Sequence, residues 1–388
     1  MFARCWKWST QYCGVNAYAS RLHVGASWNS SLAYQRAQFM GAEFKKKGVN
    51  VALGPVVGPI GRTATGGPDP YLNGILGAQS VIGLQESVIS SIKHFVANEQ
   101  ETNHNPISDN GKTTQSTSSN VDDQTMHELY MWPFQDLVHA GAGCVMCSYN
   151  RINNTYACEN SKAMNGLLKG ELNFQGFVVS DWVGQHSGIS SADAGLDMAM
   201  PTSSYWDSGQ LADAVNSDNL NRTRLVDMAE RIIATWYQFG QDATDFPKLG
   251  VGMPSDLLEP HIYTDARDPA SKASLLQQAI EGYVLVKNVE AALPLRRPAV
   301  LSIFGYDAVV QSTYSPGNQY VSGQAELLFP TNWGVINLGL PQLADIASNK
   351  LVRDSPRTTK NILIVGGGSG SNTPAYISSP YDALQDKG

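Results

Sequence analysis

The run Gly176-Phe177-Val178-Val179-Ser180-Asp181-Trp182 ends an apolar stretch on a carboxylate and an indole. A carboxylate held there can act as a nucleophile, and the indole beside it offers a flat face the size of a sugar ring. Lys93-His94-Phe95 places a cation and an imidazole on adjacent residues, two groups that donate to hydroxyls. Cys144-Val145-Met146-Cys147-Ser148-Tyr149-Asn150 is a third run that starts apolar and ends polar. Each reading has a plainer rival. Ser180 and Asp181 are both good helix N-caps, and Lys93-His94 also fits an ion-paired lysine beside a hydrogen-bonded core histidine. Neighbours on a strand point to opposite faces, so Lys93 and His94 share a pocket only where their strand is ending.

The elements that must position these groups follow from pattern. Phe177 to Val179 is short, apolar and partly β-branched, which predicts a strand buried on both faces. Val49 to Leu53 and Val88 to Val96 are further strands, and Asp193 to Met200 a short strand and turn. Apolar residues near helical spacing predict a helix from Ser27 to Gly48 through Leu32, Ala33, Ala37, Met40 and Phe44. Leu72 to Ile82 is a second helix, ended by Gly83, and others start at Val121, Ala163, Leu211 and Arg222. The polar stretch Asn98 to Asn120 is long for a plain connection and predicts an active-site loop. Strands alternate with helices and keep ending on polar residues, the βα pattern of a barrel whose chemistry sits at the strands' carboxyl ends. From Gly240 to Pro269 the texture is that of a linker. Beyond it come a helix, Ala273 to Gly282, and three strands, Tyr283 to Lys287, Val300 to Phe304 and Asn361 to Val365, which suggest a second α/β layer.

Composition narrows the function. The 388 residues are 42% hydrophobic and carry a net charge of −7 with no basic block, which argues against nucleic acid as a partner. No run of about 18 apolar residues exists to cross a membrane, and the start lacks the apolar core of a signal peptide. Cys144 and Cys147 form a CxxC without a second pair, and His127-Glu128 fails as HExxH because Met131 stands at the fifth position. The glycines from Gly366 miss the dinucleotide fingerprint, with Ser371 at the last glycine and Pro374 in the following helix. No metal or cofactor is expected. A bridge between Cys147 and Cys158 would close a short loop, and Asn29, Asn153 and Asn221 head glycosylation sequons that matter if the protein is secreted.

Taken in order, Gly54-Pro55 with Gly61-Arg62, Lys93-His94-Phe95, Asn98-Glu99-Gln100-Glu101, Met126 to Tyr130, Met146 to Asn150 and Ser180-Asp181-Trp182 form a signature. The chain resembles glycoside hydrolase family 3, most closely the fungal β-glucosidases, from Gly25 to its end. Leu293-Pro294-Leu295, Phe304 to Asp307 and Gly366 to Gly370 resemble that family's second domain. The resemblance implies an α/β fold: a (β/α)₈ TIM-type barrel, incomplete at its N-terminus, followed by a partial α/β sandwich. It divides the chain into an unmatched segment 1–24, a barrel 25–245, a linker 246–272 and a partial sandwich 273–388. It also implies retaining hydrolysis of terminal β-glucosyl residues from cellobiose and other small β-glucosides, by a secreted protein, although the chain shows no signal peptide. By position Asp181 matches the nucleophile. Lys93, His94, Met146, Tyr149 and Trp182 match residues around the non-reducing glucose, and the family pairs cysteines at Cys147 and Cys158.

Three departures touch the chemistry. The segment before Gly25 does not match the family's N-terminal strand, whose aspartate grips glucose. The loop Gly66-Gly67-Pro68-Asp69-Pro70 lacks a stretch that carries a sugar-contacting arginine in the family. The family's acid/base glutamate falls beyond Gly388. A retaining enzyme needs its nucleophile about 5–5.5 Å from a second carboxyl that acts as acid and then base. His104 lies on a loop where some members carry a histidine acid/base, but Thr102-Asn103-His104-Asn105-Pro106 does not match that motif. Glu99 and Glu101 are read as structural carboxylates near Lys93-His94. A sugar-binding remnant without turnover is the competing reading.

Overall fold

Four of the apolar runs become one parallel sheet. In a computed structural model that describes residues 14–59, 69–100, 103–109, 111–248, 264–296, 298, 300–305, 308–309 and 378–386, α1 (Arg21–Ser27) and α2 (Ser30–Lys46) lead into β1 (Val51–Ala52). Then α3 (Pro70–Gln85) precedes β2 (Ile89–Phe95). Next comes α4, which starts as Asp123–Thr125, widens to a π-helical stretch Met126–Met131 and closes as Trp132–His139. β3 (Cys144–Cys147), the π-type α5 (Lys162–Glu171), β4 (Phe177–Ser180), α6 (Ile189–Asp193), α7 (Gln210–Asn216) and α8 (Arg222–Gln238) follow. The strands are parallel and pair in chain order, β1-β2-β3-β4. Met198 continues the wall by a parallel bridge to Val179. This is the wall of a (β/α)₈-type barrel.

Alternation sorts the core into two layers. Ile89, Cys144, Met146, Phe177 and Val179 point to one side and cluster with Leu53, Trp182, Met198 and Met200, inside the curve of the sheet. Ile92, Phe95, Val145, Cys147 and Val178 point to the other and pack with Phe134, Leu137, Met164 and Leu168 of the helices. Local chemistry starts the helices on cue. Asn29 caps α2 by accepting from the Leu32 N–H, and Asp69 caps α3 from the Leu72 N–H with Pro70 in the first turn.

The pattern predicts a helix end at Gly83, yet α3 runs through it to Gln85. A Cβ at Gly83 would stand 2.4 Å from the Tyr34 carbonyl oxygen and 2.9 Å from the Gln38 nitrogen, and one at Gly41 would stand 2.8 Å from the Leu84 carbonyl oxygen. Two glycines let α2 and α3 touch backbone to backbone; Gly83 marks close packing, not a helix end.

The region after the barrel also differs from expectation. α9 (Ser271–Glu281) forms as the pattern predicts and packs on α1 and α2. Residues 283–287 and 300–304 belong to no strand in the described structure, and Val286 and Phe304 are 90% exposed. An apolar run becomes a strand only when a neighbour pairs with its backbone, and no described strand lies beside either run. Asn361 to Val365 and the glycines from Gly366 lie outside the described residues.

Gly83→Ala tests the α2–α3 contact. The added methyl meets backbone that cannot rotate away, so a loss of about 1–3 kcal/mol in urea unfolding is expected; an unchanged midpoint would refute the close-packing account.

Candidate active site

The register aligns the site. Lys93 pairs with Met146 and Met146 with Val179, while Phe95 pairs with Cys147 and Cys147 with Ser180. The carboxyl ends of β2, β3 and β4 are therefore level, and Asp181 stands one residue past the last row, its N–H donating to the Cys147 carbonyl (3.2 Å).

Lys93 and His94 reach this level together for a reason the sequence pattern did not contain. The strand does not end between them. The β2–β3 register shifts between Lys93 and Phe95, leaving His94 as an extra, bulged residue. Val56 bridges to Lys93 from the other side, with the Lys93 N–H on the Pro55 carbonyl (3.1 Å) and the Val57 N–H on the Lys93 carbonyl (2.9 Å).

Asp181 is buried, 8% exposed. Its Oδ2 lies 3.2 Å from His94 Nε2, and its Oδ1 accepts from the Trp182 N–H at 2.7 Å. Burial pushes the carboxyl up, but the hydrogen bonds from His94 and the Trp182 amide, together with the Lys93 cation, outweigh it and hold Asp181 below its ordinary range. Burial lowers Lys93, partly opposed by Asp181 and reinforced by Arg21. Asp181 caps no helix: residues 182–183 form a turn.

The other predicted residues surround this pair at different depths. Trp182 is half-buried and packs on the interior cluster that contains Met146. Met146 itself is fully buried. Tyr149 leans on His104, with ring centroids 4.8 Å apart, and approaches the Asp181 turn, where a Cβ on Gly184 would stand 3.4 Å from its ring. A disulfide joins Cys147 to Cys158 and closes the loop that carries Tyr149, while Cys144 is free and buried. Asn29 and Asn221 cap α2 and α8, and Asn153 lies in the exposed turn between the paired segments Arg151–Ile152 and Thr155–Tyr156. Among the described residues no three His, Cys, Asp or Glu side chains group to hold a metal ion, and no helix is long and apolar enough to cross a membrane. Arg62, Glu101 and the loop at Gly67 lie outside the described residues.

Three further polar side chains stand in the region: Asn98 and Glu99, both in the signature, and His186, which the sequence pattern does not single out. Asn98 Nδ2 sits 3.2 Å from His94 Nδ1. His186 packs on Tyr156 (4.1 Å between centroids) with Nε2 buried and unpaired among the described residues, and burial holds its pKa at about 4. Burial pushes Glu99 up to about 7, and its Oε1 lies 3.6 Å from where a Cβ on Gly58 would stand.

Comparison with known proteins bears on this arrangement. The model described as "Glycosyl hydrolase family 3 N terminal domain" matches residues 16–235. "Probable beta-glucosidase M" of Emericella nidulans is 51% identical over 380 residues, covering 96% of this chain and 46% of the relative. "Beta-glucosidase cel3A" of Pyricularia oryzae is 47% identical over 384 residues, covering 96% and 47%. The chain thus spans about half the length of the curated relatives it matches. Among solved structures, the Trichoderma reesei beta-D-glucoside glucohydrolase superposes with a TM-score of 0.76 at 33% identity, covering 98% of this chain and 47% of that one. Beta-glucosidase D2-BGL of Chaetomella raphigera gives 0.74 at 36%, covering 96% and 47%.

Glu99 yields a pH test. Its folded pKa of about 7 exceeds its ordinary 4.5, so the neutral form supports the fold. That contribution is full below pH 4.5 and is lost as pH rises through 7, a swing of up to about 3 kcal/mol. Glu99→Gln is expected to match the parent's Tm at pH 4 and exceed it at pH 8; a constant difference across that range would contradict the burial of Glu99.

Proposed function

Because the chain belongs to glycosyl hydrolase family 3, we propose that it is a retaining β-glucosidase whose nucleophile is Asp181. One observation carries the reading: a buried carboxylate at the end of a barrel strand, kept ionised by donors from His94 and Trp182 with Lys93 nearby. An Asp181 oxygen attacks the sugar's C1 as the bond from C1 to the aglycone oxygen breaks, and that oxygen takes a proton from the acid/base carboxyl that the retaining scheme requires, a role that no described residue is assigned. Water then opens the glycosyl ester, giving its proton back to that group, and frees the sugar with its configuration retained. Lys93 and His94 supply donors for sugar hydroxyls, Trp182 a stacking face, and Met146 and Tyr149 the lining beneath and beside it.

The names of the relatives support glucose as the glycon and a small β-glucoside or cello-oligosaccharide as the substrate. The same reading gives 25–245 the catalytic role and 273–388 to a second domain. It makes the protein an extracellular participant in cellulose breakdown, with N-glycans at Asn29, Asn153 and Asn221.

Covalent trapping tests the nucleophile directly. A dinitrophenyl 2-deoxy-2-fluoro-β-glucoside has a leaving group that departs without a proton, and its fluorine slows release of the glycosyl-enzyme. The intact mass is expected to rise by one fluoroglucosyl group, mapped to a peptide containing Asp181, and Asp181→Asn is expected to stay unlabelled while melting cooperatively. A cooperatively melting parent chain that takes no label would favour the sugar-binding reading without turnover.

A further inference from the structure

The His94 ring joins two side chains. Its Nε2 faces Asp181 Oδ2 at 3.2 Å, and its Nδ1 faces Asn98 Nδ2 at 3.2 Å. An amide nitrogen only donates, so Nδ1 meets it with a lone pair, and the ring proton must then sit on Nε2, aimed at the carboxylate. We infer that Asn98 is a positioning residue that holds His94 as a neutral, Nε2-protonated donor to the nucleophile. The inference rests on the reading in which Asp181 attacks the sugar.

The charges around the ring explain why a neutral donor matters. Asp181, one residue past β4, faces the ring through Nε2, and Lys93 on β2 acts electrostatically on the same carboxylate. Arg21 on α1 stands behind Lys93, its Nη1 on the Val56 carbonyl at 3.2 Å. Lys93 already supplies a cation to Asp181. A second full charge on His94 would favour the resting carboxylate over the transition state, in which Asp181 spends its charge on C1; stabilising the ground state in this way slows the step. A neutral N–H still orients the carboxylate and keeps it ionised. Turning the Asn98 amide over would present its oxygen to Nδ1 and invite a second proton, so the orientation of one amide sets the charge beside the nucleophile.

Nitrogen NMR of the chain labelled with ¹⁵N-histidine, with His94→Gln to assign the ring, reads this without substrate. At pH 7 the His94 signals are expected to show a bare Nδ1 and a protonated Nε2. Asn98→Asp, an isosteric change that replaces a donor by an acceptor, is expected to protonate both nitrogens. It should also slow fluoroglucosyl-enzyme formation about tenfold, the equivalent of about one pKa unit of interaction. An Nδ1–H tautomer or an imidazolium in the parent chain at pH 7 would overturn the inference, as would Asn98→Asp with the parent's spectrum or rate. Failure of the parent chain to label at all would instead count against Asp181 as nucleophile, with the tautomer still read from the spectrum.

Discussion

Up to Lys93, β2 alternates as any strand must, with Ile89 in the interior cluster and Ile92 on the helix side. Continued unchanged, that alternation would turn Phe95 inward and His94 out among the helices. The bulge at His94 resets it: Phe95 joins Phe134 on the helix side with their rings edge to face at 5.0 Å, and His94 is freed to reach Asp181. The packing of Phe95 and the hydrogen bond from His94 are thus two results of one inserted residue. Any change that removed the bulge would bury the imidazole in the outer core and expose a phenylalanine to the site.

Two buried carboxylates on adjoining segments are held in different ways. Asp197, whose side chain is fully buried, receives Lys169 Nζ on both oxygens at 2.9 Å, Arg224 Nη2 at 2.7 Å and the Val178 N–H at 2.7 Å. An ionised carboxylate offers about four lone-pair sites, and Asp197 has used them all. Among the described residues Asp181 accepts from His94 and from the Trp182 amide, one donor on each oxygen. Burial raises the energy of both charges. Asp197 is paired with two cations and Asp181 only partly, an imbalance that suits the nucleophile's role proposed for Asp181.

Much of this was legible in the chain. The βα order and the polar strand ends follow from periodicity and residue type, because burial on both faces demands continuous apolar runs, while the grouping of Met146, Tyr149 and Trp182 with Asp181 came from the family resemblance. What escaped depends on distances between residues far apart in sequence. Gly83 reads as a helix end because its use, admitting the Tyr34 backbone, is a contact across 49 residues of chain. Lys93 and His94 were expected to converge through a strand end, whereas a bulge brings them together. Asn98 and Glu99 belong to a run of polar residues that pattern alone cannot rank. Residues 283–287 depart the other way: an apolar, β-branched run satisfies strand propensity, yet among the described residues no strand pairs with it.

The bonds around β4 explain how Asp181 keeps its position at the sheet's sparsely paired side. Met198 contributes only an isolated bridge there, so side chains complete what the ladder lacks. Asp197 takes the Val178 N–H near the start of the strand, and Ser180 Oγ takes the Met200 N–H at its end, while the Val183 N–H beyond Asp181 returns to the Met200 carbonyl at 2.8 Å. Asp181 is therefore tethered on both flanks to residues 197–200, and on the opposite edge its own N–H is tied to Cys147. Among the described residues the carboxylate itself takes two donors, and the ties that fix its position run through the backbone on either side of it. The scaffold carries the rigidity.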